Sequence, residues 1–146
     1  MIKKLSASLI ALTLTLSASD AKPEINEKLD GYKIYEQNCK QCHIEMISKP
    51  ETMKIFRTLK APPMVEVSRQ LKDNIIIKED DEEIHRFTVI SFIKSYLYDP
   101  SIDYSMCNPG AIDNFGIMPT QKHLSEKERH AVAEWIFDRY EGIDFK

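Results

Sequence analysis

Apolar positions in this chain recur at three- and four-residue intervals over most of its length, the repeat of a helix face, and seldom alternate as a half-buried strand would. Residues 26–42 place Leu29, Tyr32, Tyr35 and Cys39 on one side and predict a first helix. Gly31 falls inside it; an interior glycine costs about 1 kcal/mol against alanine, so its presence predicts close approach of another backbone or ring. Pro50 and then Pro62-Pro63 punctuate the next stretch of chain. Met53, Phe56 and Leu59 predict one short helix between these prolines. Met64, Val67 and Leu71 predict another after them, with proline suited to its first turn. Ile75-Ile76-Ile77 fits a short strand or buried chain equally. The acidic run Glu79-Asp80-Asp81-Glu82-Glu83 is most simply the negatively charged start of the next helix; a docking patch is the other reading, although charge runs are usually solvated faces. That helix carries Phe87, Ile90, Ile93 and Leu97 on one stripe, widened by Val89, Phe92 and Tyr96, so it should be buried on more than one side. It should stop before Pro100. Ser125-Glu126-Lys127-Glu128 is a capping box, and Val132, Trp135, Ile136 and Tyr140 form the inward stripe of a final helix closed by Gly142. Between the last two helices lies a loop of about 25 residues, longer than a compact domain usually carries without a functional reason. The whole pattern is that of an all-α chain.

The N-terminal stretch departs from this periodicity. Lys3 and Lys4 are followed by an uncharged run of about a dozen residues to Leu16, then by small residues up to Ala21. This is the layout of a secretory signal peptide over residues 1–21, because the apolar run is well short of the roughly 20 residues needed to span a bilayer. Cleavage after Ala21 is expected, with Ala18 a second candidate. No cysteine follows closely enough to take a lipid anchor, and no later stretch has the length and apolarity of a span. Residues 22–146 are then one exported domain, of a size that buries a single core.

The full chain has 20 Lys and Arg against 23 Asp and Glu. Loss of residues 1–21 leaves 18 against 22, a net of about −4, which argues against nucleic acid and anionic membrane as partners.

Residues 39–43 read Cys-Lys-Gln-Cys-His. C-x-x-C-H is the attachment signature of a c-type haem: two thiols to bond the porphyrin and an adjacent imidazole to ligate its iron. On a helix Cys39, Cys42 and His43 stand at i, i+3 and i+4 and project from one face. Cys39 and Cys42 are thus candidate thioether residues and His43 the candidate proximal iron ligand. The competing readings are a disulfide or dithiol redox pair, which would want a strand before it in a βαβ setting, and a zinc site, which needs four ligands. Cys107, His85, His123 and His130 are not spaced as a second ligand pair. Cys107 takes no role, and the three histidines read as exposed surface residues.

A haem held by His43 on one side leaves the opposite axial position to fill, and a thioether fits that task and raises the potential. The long loop contains Phe115-Gly116-Ile117-Met118-Pro119. Met118 is the expected distal ligand, since Pro119 biases the residue before it toward an extended conformation and Gly116 permits tight approach to the macrocycle. Methionine is also a common core filler. Met64 is the main alternative and Met106 a weaker one, while Met46 and Met53 lie too close to His43 in sequence to cross to the other face.

With these residues in place, the chain resembles the small class I monohaem cytochromes c over nearly all of residues 22–146. Gly31, Tyr35 and the Cys39–His43 motif are similar to the family's first helix; Met118-Pro119, Leu124-Ser125 and a helix bearing Trp135 are similar to its distal loop and last helix. The resemblance implies a cytochrome c fold of about four to five helices around one covalently bound haem. It implies that the N- and C-terminal helices cross, so that Gly31 and Tyr35 meet the Trp135 region. It implies also a proline carbonyl orienting the proximal histidine, a role open to Pro50, Pro62 or Pro63. Propionate partners stay open, Arg57 and Lys60 among them. Ile44 stands where many relatives have glycine, and residues 44–80 match no part of the family pattern.

The function implied is outer-sphere electron transfer by a periplasmic monomer that shuttles single electrons between respiratory reductases or oxidases through transient contacts, without acting as an enzyme. The alternative is a haem-based ligand-binding sensor or a peroxidase-like protein, with an open or displaceable sixth position.

Overall fold

Asp30 starts the first helix. Its side chain accepts the backbone N–H groups of Tyr32 and Lys33, two of the donors a helix N-terminus leaves unpaired, and α1 runs from Gly31–Asn38. The computed structural model describes residues 28–78 and 81–146; the expected signal peptide, with its cleavage sites after Ala21 or Ala18, lies outside them. Helix α1 is thus shorter than the 26–42 expected. Leu29 falls outside it and is exposed, and Gly31 is its first residue instead of an interior one. The chain leaves the helix at Cys39 in a turn, closed by the Cys42 and His43 N–H groups on the Cys39 carbonyl at 3.0 and 2.9 Å.

Helix α2, Lys49–Ile55, begins at a capping box made by Ser48 and Glu51, with Pro50 in its first turn, and a 3-10 turn over Phe56–Thr58 extends it. Pro50 therefore opens this helix; it does not mark a break before it. Helix α3, Met64–Asn74, follows Pro63. Its first N–H groups are taken by carbonyls from beyond the motif, Met64 N to Ile44 O at 2.7 Å and Val65 N to Glu45 O at 3.2 Å.

After α3 the chain runs without a strand through Ile75, which is buried, and Ile76, which is 81% exposed. Asp81 caps α4, Glu82–Tyr98, with Glu82 and Glu83 in its first turn, and Asp99 ends it before Pro100. Val89, Ile90, Ile93 and Leu97 are buried as the pattern predicts, but Phe87 is 71% exposed. The buried stripe is set by the packing of α4 on α6, Glu126–Asp138, and Phe87 falls off its edge.

The expected 25-residue loop holds further helix. A 3-10 turn spans Ile102–Tyr104, and α5, Pro109–Phe115, is started by the Asn108 side chain on Ala111 N and by proline in the first turn. Gly116 ends α5 with φ 69°, a left-handed conformation that favours glycine. Helix α6 opens on the Ser125–Glu128 capping box and ends at Asp138, earlier than Gly142, which closes the succeeding turn with φ 68°.

The described residues form six α-helices and no strand, and among them no helix is long and apolar enough to cross a membrane. The first and last helices cross at Gly31, where an added Cβ would lie 2.2 Å from the Ala131 carbonyl oxygen and 2.6 Å from the Trp135 Cβ. Only glycine lets the backbones approach so closely. Tyr35 stacks on Trp135 with ring centroids 4.6 Å apart, and Tyr32 lies 5.6 Å from the same ring. The Ser68 hydroxyl of α3 donates to the Ile136 carbonyl of α6 at 2.8 Å, closing the core formed by α1, α3, α4 and α6.

A candidate cofactor cleft

The turn after α1 delivers Cys39, Cys42 and His43 to one cleft of about 1300 Å³, its solvent-open part included. Helix α4 contributes Phe92, Ile93, Tyr96 and Leu97 to the same cleft, and the segment after α5 contributes Ile117 and Met118. This accounts for the breadth of the apolar surface on α4: one side packs on α6 and another faces the cleft. The lining is mostly apolar, so a ligand that fills it is shielded from water, with a few polar groups to orient it.

The His43 ring is held at one end. Its Nδ1 lies 2.7 Å from the Pro62 carbonyl oxygen. A carbonyl only accepts, so Nδ1 carries the proton and Nε2 keeps its lone pair for a metal. Burial lowers the His43 pKa, against a smaller upward pull from that hydrogen bond, which further favours the neutral imidazole that a metal requires. Of the three prolines left open by the sequence, Pro62 is the one whose carbonyl meets the His43 ring. Pro50 starts α2, and Pro63 precedes α3.

All three cysteines carry free thiols. Burial, with a smaller contribution from nearby Cys42, pushes the Cys39 thiol up to about 11. Cys107 is exposed and lines the cleft. Among the described residues, no three His, Cys, Asp or Glu side chains come together as a metal site.

Three methionines reach the cleft: Met64, Met106 and Met118. Met64 is only 3% exposed and its backbone is bonded to Ile44 next to His43. Met118 belongs to a different anchor. The residues after it are fastened to the end of α4, Thr120 Oγ1 to Tyr98 O at 2.7 Å and Gln121 N to Leu97 O at 2.8 Å. Met46 and Met53 are exposed and away from the lining. Lys60 borders the cleft and Arg57 does not. Of the histidines expected on the surface, His123 and His130 are exposed, whereas His85 is half-buried with Nε2 3.1 Å from the Lys72 carbonyl.

Gln121 was not anticipated as part of this site. It is buried, lines the cleft, and donates from Nε2 to the Pro119 carbonyl at 3.2 Å, bracing the turn that carries Met118. A polar residue three positions past a candidate ligand gives no sequence signal for this.

A curated relative from Aquifex aeolicus (strain VF5), described as an uncharacterized protein, is 36% identical over 142 residues, spanning 90% of this chain and 86% of the relative. The two chains belong to one family. No family model and no solved structure matches the chain.

Proposed function

We propose that this protein is an exported, soluble electron carrier of the class I cytochrome c type, holding one haem c through Cys39 and Cys42 with His43 and Met118 as axial ligands. The observation that carries the reading is the convergence, on one apolar cleft, of both motif thiols, an imidazole whose Nδ1 is capped by a carbonyl, and a thioether from a separately anchored segment. A porphyrin brings its own four nitrogen donors, so two protein side chains complete six-coordinate iron. That is why a haem site needs no cluster of three or more protein ligands. The crossing of α1 and α6 at Gly31, with Tyr35 against Trp135, supports the same reading.

The cofactor would supply a one-electron couple. The chain's own residues would supply the rest: Cys39 and Cys42 the covalent tether, Pro62 the fixed tautomer of His43, and Phe92, Ile93 and Leu97 an apolar wall that excludes water and favours the less charged reduced site. The anchors on His43 and on the segment after Met118 would keep reorganisation on electron transfer small. Met118 is preferred over Met64 because Met64 shares the backbone anchor of His43, whereas Met118 hangs from α4. Partners are proposed to be periplasmic respiratory reductases or oxidases, met through a small transient interface, with the protein acting as a monomer.

The test is to express the chain with c-type haem maturation and examine the purified protein. A haem stain that survives denaturing electrophoresis and is lost in Cys39→Ala/Cys42→Ala is expected, together with a thioether-to-iron charge-transfer band in the oxidised form. Absence of covalent haem ends the reading. Ready binding of carbon monoxide by the reduced protein at neutral pH would replace it with the ligand-binding or peroxidase-like alternative.

A further inference from the structure

The three residues His43, Ile44 and Glu45 have every backbone carbonyl occupied by a donor from elsewhere in the fold. The Tyr35 hydroxyl of α1 donates to His43 O at 2.6 Å. Met64 N at the start of α3 donates to Ile44 O at 2.7 Å, and Glu45 O receives both Val65 N at 3.2 Å and the Tyr140 hydroxyl at 2.9 Å. Two of these four donors are side chains, and both are phenols from the region where the first and last helices meet. Tyr35 is 0% and Tyr140 4% exposed, and both pack on the Trp135 ring, with centroids 4.6 Å and 5.9 Å from it. The Arg139 guanidinium adds a third tie from the same turn, to the Glu45 carboxylate at 3.0 Å.

We propose that Tyr35, seconded by Tyr140, is a positioning residue for His43, and that the phenol hydroxyls, not only the aromatic rings, set the orientation in which the imidazole meets the iron. The inference rests on the haem reading and adds to it a role for two hydroxyl groups. Packing alone does not need them: a phenylalanine at either position would keep the stacking on Trp135. What the hydroxyls add is directional. Pro62 fixes the ring end of His43 through Nδ1, and Tyr35 fixes its backbone end, so the side chain is held at both extremities and its remaining torsions have little room. Without Tyr35 OH the His43 carbonyl loses a partner in a partly buried setting, and the backbone has reason to rotate toward another donor.

The experiment uses the haem-loaded full protein and compares Tyr35→Phe, Tyr140→Phe and a control, Val89→Ala, which removes buried volume from α4 at a residue outside the cleft lining. Proton NMR of the oxidised protein reads the paramagnetically shifted haem methyl resonances, whose order and spread depend on the orientation of the axial ligands. Tyr35→Phe is expected to change that pattern and shift the reduction potential. Tyr140→Phe should do the same to a smaller degree, since its bond falls two residues further on. Val89→Ala should lower thermal stability and leave the pattern as in the wild type. A wild-type methyl pattern and potential in Tyr35→Phe would overturn the proposal and reduce the tyrosines to packing. So would a change of equal size in Val89→Ala. If Tyr35→Phe does not retain haem, Tyr140→Phe decides alone by the same criterion. Failure of the wild-type protein itself to bind covalent haem is a different result, and strikes the functional reading instead of this one.

Discussion

Gly31 has no room for a side chain, because the atoms an added Cβ would meet at 2.2 and 2.6 Å are a carbonyl oxygen and a Cβ of α6, neither of which can swing aside. Gly31→Ala should therefore lose about 1–3 kcal/mol by overpacking, even though alanine is the better helix former, and a denaturant titration that found it neutral or stabilised would show that the helices can part. The methionines differ in a testable way. On the proposed haem reading, Met118→Ala should abolish the charge-transfer band and admit carbon monoxide, with a modest stability change. Met64→Ala should keep the band while costing about 2–5 kcal/mol as a buried large-to-small change. The opposite assignment of effects would make Met64 the ligand. At this scale the residues that meet in the cleft, Cys39, Cys42, His43 and Met118, could be named from sequence, since C-x-x-C-H and a methionine before proline are local patterns. Pro62 was not: three prolines were equivalent as letters, and a hydrogen bond reaching back 19 residues chose one.

Two helices begin with the same device. In α2 and α6 a serine side chain accepts the N–H of a glutamate three residues on, and that glutamate reaches back to the serine N–H. Ser125→Ala should cost about 0.5–2 kcal/mol, measured by thermal unfolding, and an unchanged melting temperature would refute the cap's contribution. The hydrogen bonds to Ser48 and Ser125 hold the Glu51 and Glu128 carboxyls below their ordinary value of 4.5. The native state thus binds fewer protons than the unfolded chain in that range. The stability they contribute is present above about pH 4.5 and is lost as pH falls through the lower native values. A Ser48→Ala/Ser125→Ala double variant should be less stable at neutral pH and show a shallower fall in stability on acidification below 4.5; an equally steep fall would assign the acid sensitivity elsewhere. The Ser48 box and the Asn108-Pro109 start of α5 were written in the sequence in the same terms as the Ser125 box. They escape notice because proline marks both a stop and a first turn, and only the capping geometry separates these.

At the scale of the molecule, the proposed electron-carrier role and the acidic balance together predict that transfer to a partner with a basic docking surface slows as salt is added; stopped-flow rates independent of ionic strength would remove charge from the docking argument. The helical class and the helices α4 and α6 were legible in the sequence, because each rests on residues within a turn or two of one another; the crossing of the first and last helices was implied by the family resemblance, and the cost of Gly31 asked only for some close contact. The exposure of Phe87, the placing of Phe115 at the end of α5 against the cleft, the Pro62 bond and the two tyrosine bonds to His43 and Glu45 were decided only by tertiary structure. They join positions from 8 to 95 residues apart, and nothing in a local pattern states which of many buried donors will meet which carbonyl. That choice is made by the packing of α1, α3, α4 and α6 around one another, where each pairing depends on all the rest.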